Sequence, residues 1–140
     1  MITHIWSVLC LRSIVDAQTQ NISLIDVIEE ISLAPQLFEQ SKEVILPYRF
    51  ELVTYWRRSL SQQAVRANAR IVVLDPEEKV LEQQIYDIDL SQYSKVRTRI
   101  GVPNFTVSNV GMYVFVIELQ TENESWREVA RVPLDISVRT

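Results

Sequence analysis

Asn109-Val110-Gly111-Met112-Tyr113-Val114-Phe115-Val116-Ile117-Glu118-Leu119-Gln120 is the stretch whose reading decides the fold class. Strand periodicity sends Tyr113, Phe115, Ile117 and Leu119 to one face and Met112, Val114 and Val116 to the other. A strand that is apolar on both faces belongs in the middle of a sheet. A partner follows at once. Trp126, Glu128, Ala130, Val132, Leu134, Ile136 and Val138 alternate with Arg127, Val129, Arg131, Asp135, Ser137 and Arg139. Pro133 falls on the outward phase and has no N–H, which predicts an edge position or a bulge there.

Outward from this pair, the chain reads as further short strands. Residues 3–12 carry Ile2, His4, Trp6, Val8 and Cys10 on one face and Ile5, Leu9 and Leu11 on the other. In residues 22–31 a Ser23/Asp26 capping pair and a stripe of Leu24, Ile25, Ile28 and Ile31 suit a helix. The Ile and Val content tips the reading to strand. Residues 32–42 read as a loop broken at Pro35, with Leu37 and Phe38 tucked inward. Residues 48–60 alternate Tyr48, Phe50, Leu52, Thr54 and Trp56 with Arg49, Glu51, Tyr55 and Arg57, the pattern of a half-buried strand. Residues 61–68 are polar and read as a turn of helix or a plain loop. Residues 69–74 and 80–90 are strands joined at Asp75-Pro76, with a bulge expected where Ile85 adjoins Tyr86. Val96, Thr98, Ile100 and Val102 alternate with Lys95, Arg97 and Arg99. The sum is about eight strands and no long helix over residues 1–140. The expected fold is all-β, a single antiparallel β-sandwich domain of immunoglobulin-like or related topology. Gly101 and Gly111 are the only glycines, so few positions with positive φ and few tight turns are expected.

Composition excludes much chemistry. One cysteine, Cys10, and one histidine, His4, cannot build a Cys/His zinc site, and no intrachain disulfide is possible. His4 and Cys10 lie six residues apart along one strand, about 20 Å, so they cannot act as a dyad within it. Two isolated glycines cannot make a phosphate-binding loop. Asp87 and Asp89 share a strand face and Asp75, Glu77 and Glu78 crowd a turn where a calcium site is conceivable, but the spacing matches no EF-hand loop, the loop is short, and nothing selects a glycosidase pair. Lys95, Arg97 and Arg99 on one strand, Arg127, Arg131 and Arg139 on another, and Arg57, Arg58, Arg66 and Arg70 between them would form a basic face if those strands were neighbours. The net charge of −4 argues against nucleic acid as a partner. No run approaches a membrane span and no secretory leader is visible, so a cytoplasmic location without membrane contact is expected.

The run Asn109-Val110-Gly111-Met112-Tyr113 resembles the tyrosine corner of immunoglobulin-like sandwiches, with Asn where Asp is common. Phe115 stands where antibody-type domains carry a cysteine. The resemblance implies a tyrosine hydroxyl bonded back to the corner, with aromatic packing in place of the inter-sheet disulfide. The whole chain also resembles small bacterial β-sandwich proteins without assigned activity. That likeness rests on residues 23–31, on Leu46-Pro47-Tyr48-Arg49-Phe50-Glu51-Leu52-Val53, and on Gly111, Tyr113 and Phe115. It implies strand for residues 22–31 and no catalytic residues.

The expectation is a non-catalytic interaction module with a protein partner, including a second copy as a homo-oligomer. The alternatives are a sandwich binding carbohydrate or another small ligand, in a groove lined by Tyr48, Tyr86 or Tyr93, and a binder of single-stranded nucleic acid. No catalytic, cofactor-binding or metal-ligating residue is assigned, and no cofactor is expected.

Overall fold

The computed structural model of the chain describes residues 2–40, 42–59, 65–122 and 124–140. In chain order its elements are β1 (Ile2–Val15), β2 (Ile22–Val27), β3 (Glu30–Leu33), α1 (Gln36–Gln40), β4 (Val44–Ile45), β5 (Phe50–Arg58), β6 (Val65–Leu74), β7 (Val80–Leu90), β8 (Lys95–Val102), β9 (Thr106–Val107), β10 (Gly111–Thr121) and β11 (Arg127–Val138). They make a four-stranded sheet, β2-β1-β5-β8, a five-stranded sheet, β3-β11-β10-β6-β7, and a small β4-β9 pair. One apolar cluster joins the inner faces: Leu9, Phe50, Leu52 and Trp56 from the first sheet meet Ile71, Ile88, Phe115, Ile117 and Leu134 from the second. The fold is an all-β sandwich. Its β1-β5-β8 and β11-β10-β6-β7 orders are those of immunoglobulin-type sandwiches.

The central stretch behaves as its pattern demands. β10 lies between β11 and β6, and Tyr113, Phe115 and Ile117 are fully buried. Its other face is the outside of the sandwich, where Met112 is 52% exposed. The tyrosine corner is present. Tyr113 Oη donates to the Asn109 carbonyl at 2.7 Å and accepts the Asn109 N–H at 3.3 Å. Gly111 starts the strand at φ 135°, and a Cβ there would sit 3.0 Å from the Pro76 ring. Pro133 lies opposite Val114, before the segment Asp135–Val138 that β3 covers, so its missing N–H falls where β11 has a neighbour on one side only.

Residues 22–31 are not one strand. β2 belongs to the first sheet and β3 to the second, and the chain crosses between them at Ile28-Glu29. The crossing keeps a bond to each side: Ile28 N–H donates to Leu9 O, and Glu29 O accepts from Asp135 N. Asp26, at φ 52°, turns the backbone ahead of it. A strand entering a sheet by a crossover can lie parallel to its neighbour. β3 does so, with Glu30 beside Asp135 and Leu33 beside Val138. The expected purely antiparallel sandwich therefore contains one parallel pairing, and the short β2, β3, β4 and β9 raise the strand number. Residues 36–40 form a helical turn that packs Phe38 against the core and leaves Leu37 42% exposed.

The expected face assignment of the first strand is reversed beyond its fifth residue. A register shift between His4 and Trp6 makes Ile5 an extra residue. An added residue inverts every later side chain. His4, opposite Trp56, and Leu9, opposite Leu52, therefore share the inner face, while Trp6, Val8 and Cys10 take the outer one. Cys10 and Val53 are nonetheless fully buried. The far end of the β1–β2 hairpin supplies the cover by folding across the outer face of its own sheet. Ser13 Oγ donates to Glu51 at 2.5 Å, Arg99 reaches Ser13 at 3.5 Å, and Arg97 bonds the Gln20 carbonyl.

The scarcity of glycine does not suppress turns. Gln20, Asp26, Glu78 and Asn104 adopt positive φ without it. Two hairpins share a device in which an aspartate accepts backbone amides. Asp16 Oδ1 takes the N–H groups of Gln18 and Thr19 at 2.8 and 2.9 Å. Asp75 Oδ1 takes those of Glu77 and Lys79 at 2.8 Å each. The ring of amides fixes the loop and holds the following residue in the left-handed region. β6 also begins earlier than expected, at Val65, because Ala67 and Ala69 are small inward residues opposite Ile88 and Tyr86. Residues 61–64 of the expected turn lie outside the described residues.

Candidate functional site

The sequence-derived candidates separate in space. Cys10 is buried opposite Glu51, and burial followed by that carboxylate's charge pushes its thiol pKa up. A protonated, enclosed thiol is a poor nucleophile. Asp87 and Asp89 both face Arg66, at 3.4 and 3.2 Å, and Asp75 is occupied by its own turn. Among the described residues no group of three His, Cys, Asp or Glu converges on a common point. The basic face does not assemble. β8 and β11 lie in different sheets, and a register shift after Ile117 splits the arginines of β11. Arg127 turns to the Ile2 carbonyl, Arg131 to Glu128 at 2.9 Å, and Arg139 to Ser32 O. Arg70 is bound to Glu118 at 2.8 Å and lies over the Trp126 ring. Tyr48 lies beyond the Phe50–Val102 end of the first sheet and Tyr93 beyond its Arg57–Lys95 end. They are separated by about the length of β8, roughly 25 Å.

His4 enters an interior polar belt. Ser7, Thr54 and Thr98 stand in register across β1, β5 and β8. His4 Nε2 lies 2.7 Å from Ser7 Oγ, and Ser7 Oγ 2.8 Å from Thr54 Oγ1. Trp56 Nε1 donates to Thr98 Oγ1 at 3.3 Å, and Thr98 Oγ1 donates to Tyr86 Oη at 3.3 Å. Thr54 also bonds Tyr86, so the belt ties β1 to β7 of the opposite sheet. It satisfies buried hydroxyls inside an apolar layer and holds the three strands in one register. Burial holds the His4 imidazole below its ordinary pKa. As pH falls below about 6.5 the unfolded chain takes up this proton before the folded one does, so stability declines there and is flat above. The urea midpoint is expected to drop between about pH 6.5 and pH 5, and His4→Gln should flatten that slope. An unchanged slope in the variant would assign the proton uptake to another group.

The most unusual surface is the edge of the second sheet. β7 pairs with β6 on one side and, among the described residues, with no strand on the other. All six residues from Val80 to Ile85 are exposed, with Val80 at 59%, Leu81 at 45% and Ile85 at 60%. Edge strands normally carry Lys, Pro or an inward charge that discourages pairing. β7 contains no Lys, Arg or Pro over its eleven residues; of these devices it carries one inward charge, Glu82, beside the register irregularity at Leu81. It borders an apolar row on the outer face, Val80-Leu74-Val114-Pro133, across four strands. Behind it, Glu82 and Gln84 look onto a shallow crevice of about 20 Å³, lined by Ile71, Val73, Ile100 and Val102, with room for one water molecule. The far end of β7 is covered, because Arg58 Nε donates to the Leu90 carbonyl at 2.8 Å.

The bulge expected at Ile85-Tyr86 is absent. The register irregularity falls instead where Val80 and Glu82 flank Leu81, and alternation is regular from Glu82 to Leu90. The expected bulge required Ile85 to be buried. The structure leaves it outside, on the side opposite Tyr86. The signal was present in the run Val80-Leu81-Glu82-Gln83-Gln84-Ile85, which has no strong inward face.

The fold and the corner define the class of protein: an all-β sandwich of immunoglobulin-type strand order, closed by aromatic packing rather than a disulfide. No protein-family model and no curated protein matches the sequence. Among solved structures the fold is similar to that of a chitin-binding domain from Burkholderia pseudomallei, at 9% identity and a TM-score of 0.35. The match covers 80% of this chain and spans 57% of the length of that one.

Proposed function

We propose that this chain is a non-catalytic association module that adds a partner's β-strand to the free edge of β7. The observation that carries the reading is the six-residue exposed segment Val80–Ile85 at a sheet edge without a Lys, Arg or Pro along the strand. Backbone N–H and C=O groups along such an edge offer a ladder to any extended chain, and alternate side chains select it. Here Leu81 and Ile85 would select apolar residues on the outer face, continuous with Leu74 and Val114. The partner chemistry is an extended protein segment of alternating apolar and polar residues. Nothing in the interior polar belt competes with this reading, since its hydroxyls bond one another and no carboxylate joins them.

The test is titration of the isotope-labelled chain with nine-residue extended peptides of alternating apolar and polar sequence, followed by amide chemical shifts. Saturable shifts confined to β7 and its neighbours are expected, and they should vanish in Leu81→Lys/Ile85→Lys. Peptides that leave the β7 amides unmoved up to their solubility limit would defeat the proposal.

A further inference from the structure

We infer that the strand added to β7 is β7 of a second copy of this chain, paired antiparallel across a two-fold axis through Gln83. The inference rests on the edge-addition reading and narrows it to one partner. A two-fold interface must be complementary to itself: each residue i that faces j is also faced by j. In an antiparallel pair directly opposed residues share a sheet face, so the axis must pass through a residue position, and only a few positions lie within the exposed segment.

Placing the axis at Gln83 opposes Leu81 to Ile85 twice and Glu82 to Gln84 twice, and sets Gln83 against its own copy. The two apolar pairs fall on the outer face, where both side chains are now exposed. The Glu82–Gln84 pairs join an acceptor carboxylate to an amide donor. No like charges meet within the segment Leu81–Ile85. The neighbouring registers are worse. An axis at Glu82 sets two carboxylates face to face. An axis at Gln84 opposes Leu81 to Asp87, and one at Ile85 opposes Leu81 to Asp89. Only the Gln83 register pairs Leu81 with Ile85 and spends no carboxylate on an apolar partner. The result is one continuous ten-stranded sheet, its ladder confined to the half of β7 that Arg58 and β8 leave uncovered.

Three measurements on the full chain test this. Light scattering over a concentration series should show a mass rising toward twice the 16.3 kDa of one chain, and Gln83→Lys, which sets two cations at the axis, should return it to a single chain. Gln83→Cys should cross-link on mild oxidation, because the substituted thiols face each other, whereas Asp87→Cys should not. Finally, Leu81→Glu/Ile85→Glu and Leu81→Lys/Ile85→Lys should each be monomeric alone and associate one-to-one when mixed, since every Glu then faces a Lys. Far-UV circular dichroism confirms that each variant is folded. A wild-type chain that stays monomeric, or a dimer indifferent to Gln83→Lys, overturns the inference. If strand peptides still shift the β7 amides in that case, the edge-addition reading survives. If they do not, both fall.

Discussion

Phe115→Ala is expected to lower the free energy of unfolding by about 4 kcal/mol, a large part of what a domain of this size has. Phe115 is fully buried at the centre of β10 and meets one ring near in sequence and one far from it. It stacks on Phe105 at 5.9 Å between centroids, with an interplanar angle of 24°, and meets Phe50 edge-on at 6.2 Å. Phe105 in turn contacts Tyr113 at 5.4 Å and Phe50 at 5.6 Å. The four rings fill the space that a disulfide spans in antibody-type domains. Removing the central one leaves a cavity that three rigid neighbours cannot close, and it also forfeits the stacked contact with Phe105 and the edge-on contact with Phe50. Phe115→Leu, which keeps most of the volume, should cost about 1.5 kcal/mol or less. Urea unfolding monitored by circular dichroism measures both. A loss below about 1 kcal/mol for the alanine variant would mean that the sheets are held together elsewhere.

Trp56→Leu is expected to cost about 3 kcal/mol, through a different combination of effects. The indole is fully buried on β5, packs edge-on against His4 at 5.5 Å, and donates its N–H to Thr98. Leucine restores part of the volume but no donor, so Thr98 loses one partner inside the polar belt. The three tryptophans report separately. Trp6 and Trp126 are only part-buried, Trp126 beneath the Arg70 guanidinium, so the blue-shifted part of the emission belongs to Trp56. The variant should lose that component and keep the red-shifted one. An unchanged emission maximum would contradict the burial of Trp56.

Where the pattern of side chains reports burial directly, the fold is legible in the sequence. Tyr113, Phe115, Ile117 and Leu119 place β10 at the centre of its sheet, and Gly111 with Tyr113 locates the corner, because strict alternation arises from little except a strand with a buried face, and a glycine two residues before an inward tyrosine marks the strand's entry. The departures cluster where the backbone breaks alternation. Ile5 is an inserted residue with nothing in its chemistry to announce it, yet it moves Trp6, Val8 and Cys10 to the other face. The break at Ile28-Glu29 is made by main-chain bonds to two different sheets, which leave no trace in side-chain hydropathy. The basic face failed for another reason. It required β8 and β11 to be neighbours, and strand order is set by tertiary packing. The exposed edge was missed because Ile85 was expected inside. A Val, Leu or Ile at a free edge looks the same in sequence as one in a core.

The pairing of β3 with β11 has a consequence for how the chain reaches this state. Glu30 lies beside Asp135, so the edge of the second sheet is completed by residues about a hundred positions apart. β1, which enters the first sheet beside β5, likewise waits for a partner made much later than itself. Contacts of such separation slow folding, since the loop entropy is lost before the contact returns any stabilisation. During synthesis β1 and β3 leave the ribosome before β5 and β11, their later partners, exist. β2 can pair with β1 at once, but β3 then remains an unpaired, strand-prone segment in water until β11 emerges. A chain truncated before β11 should therefore be not a smaller sandwich but an open one, with β3 unclaimed and the central strand bare along one side.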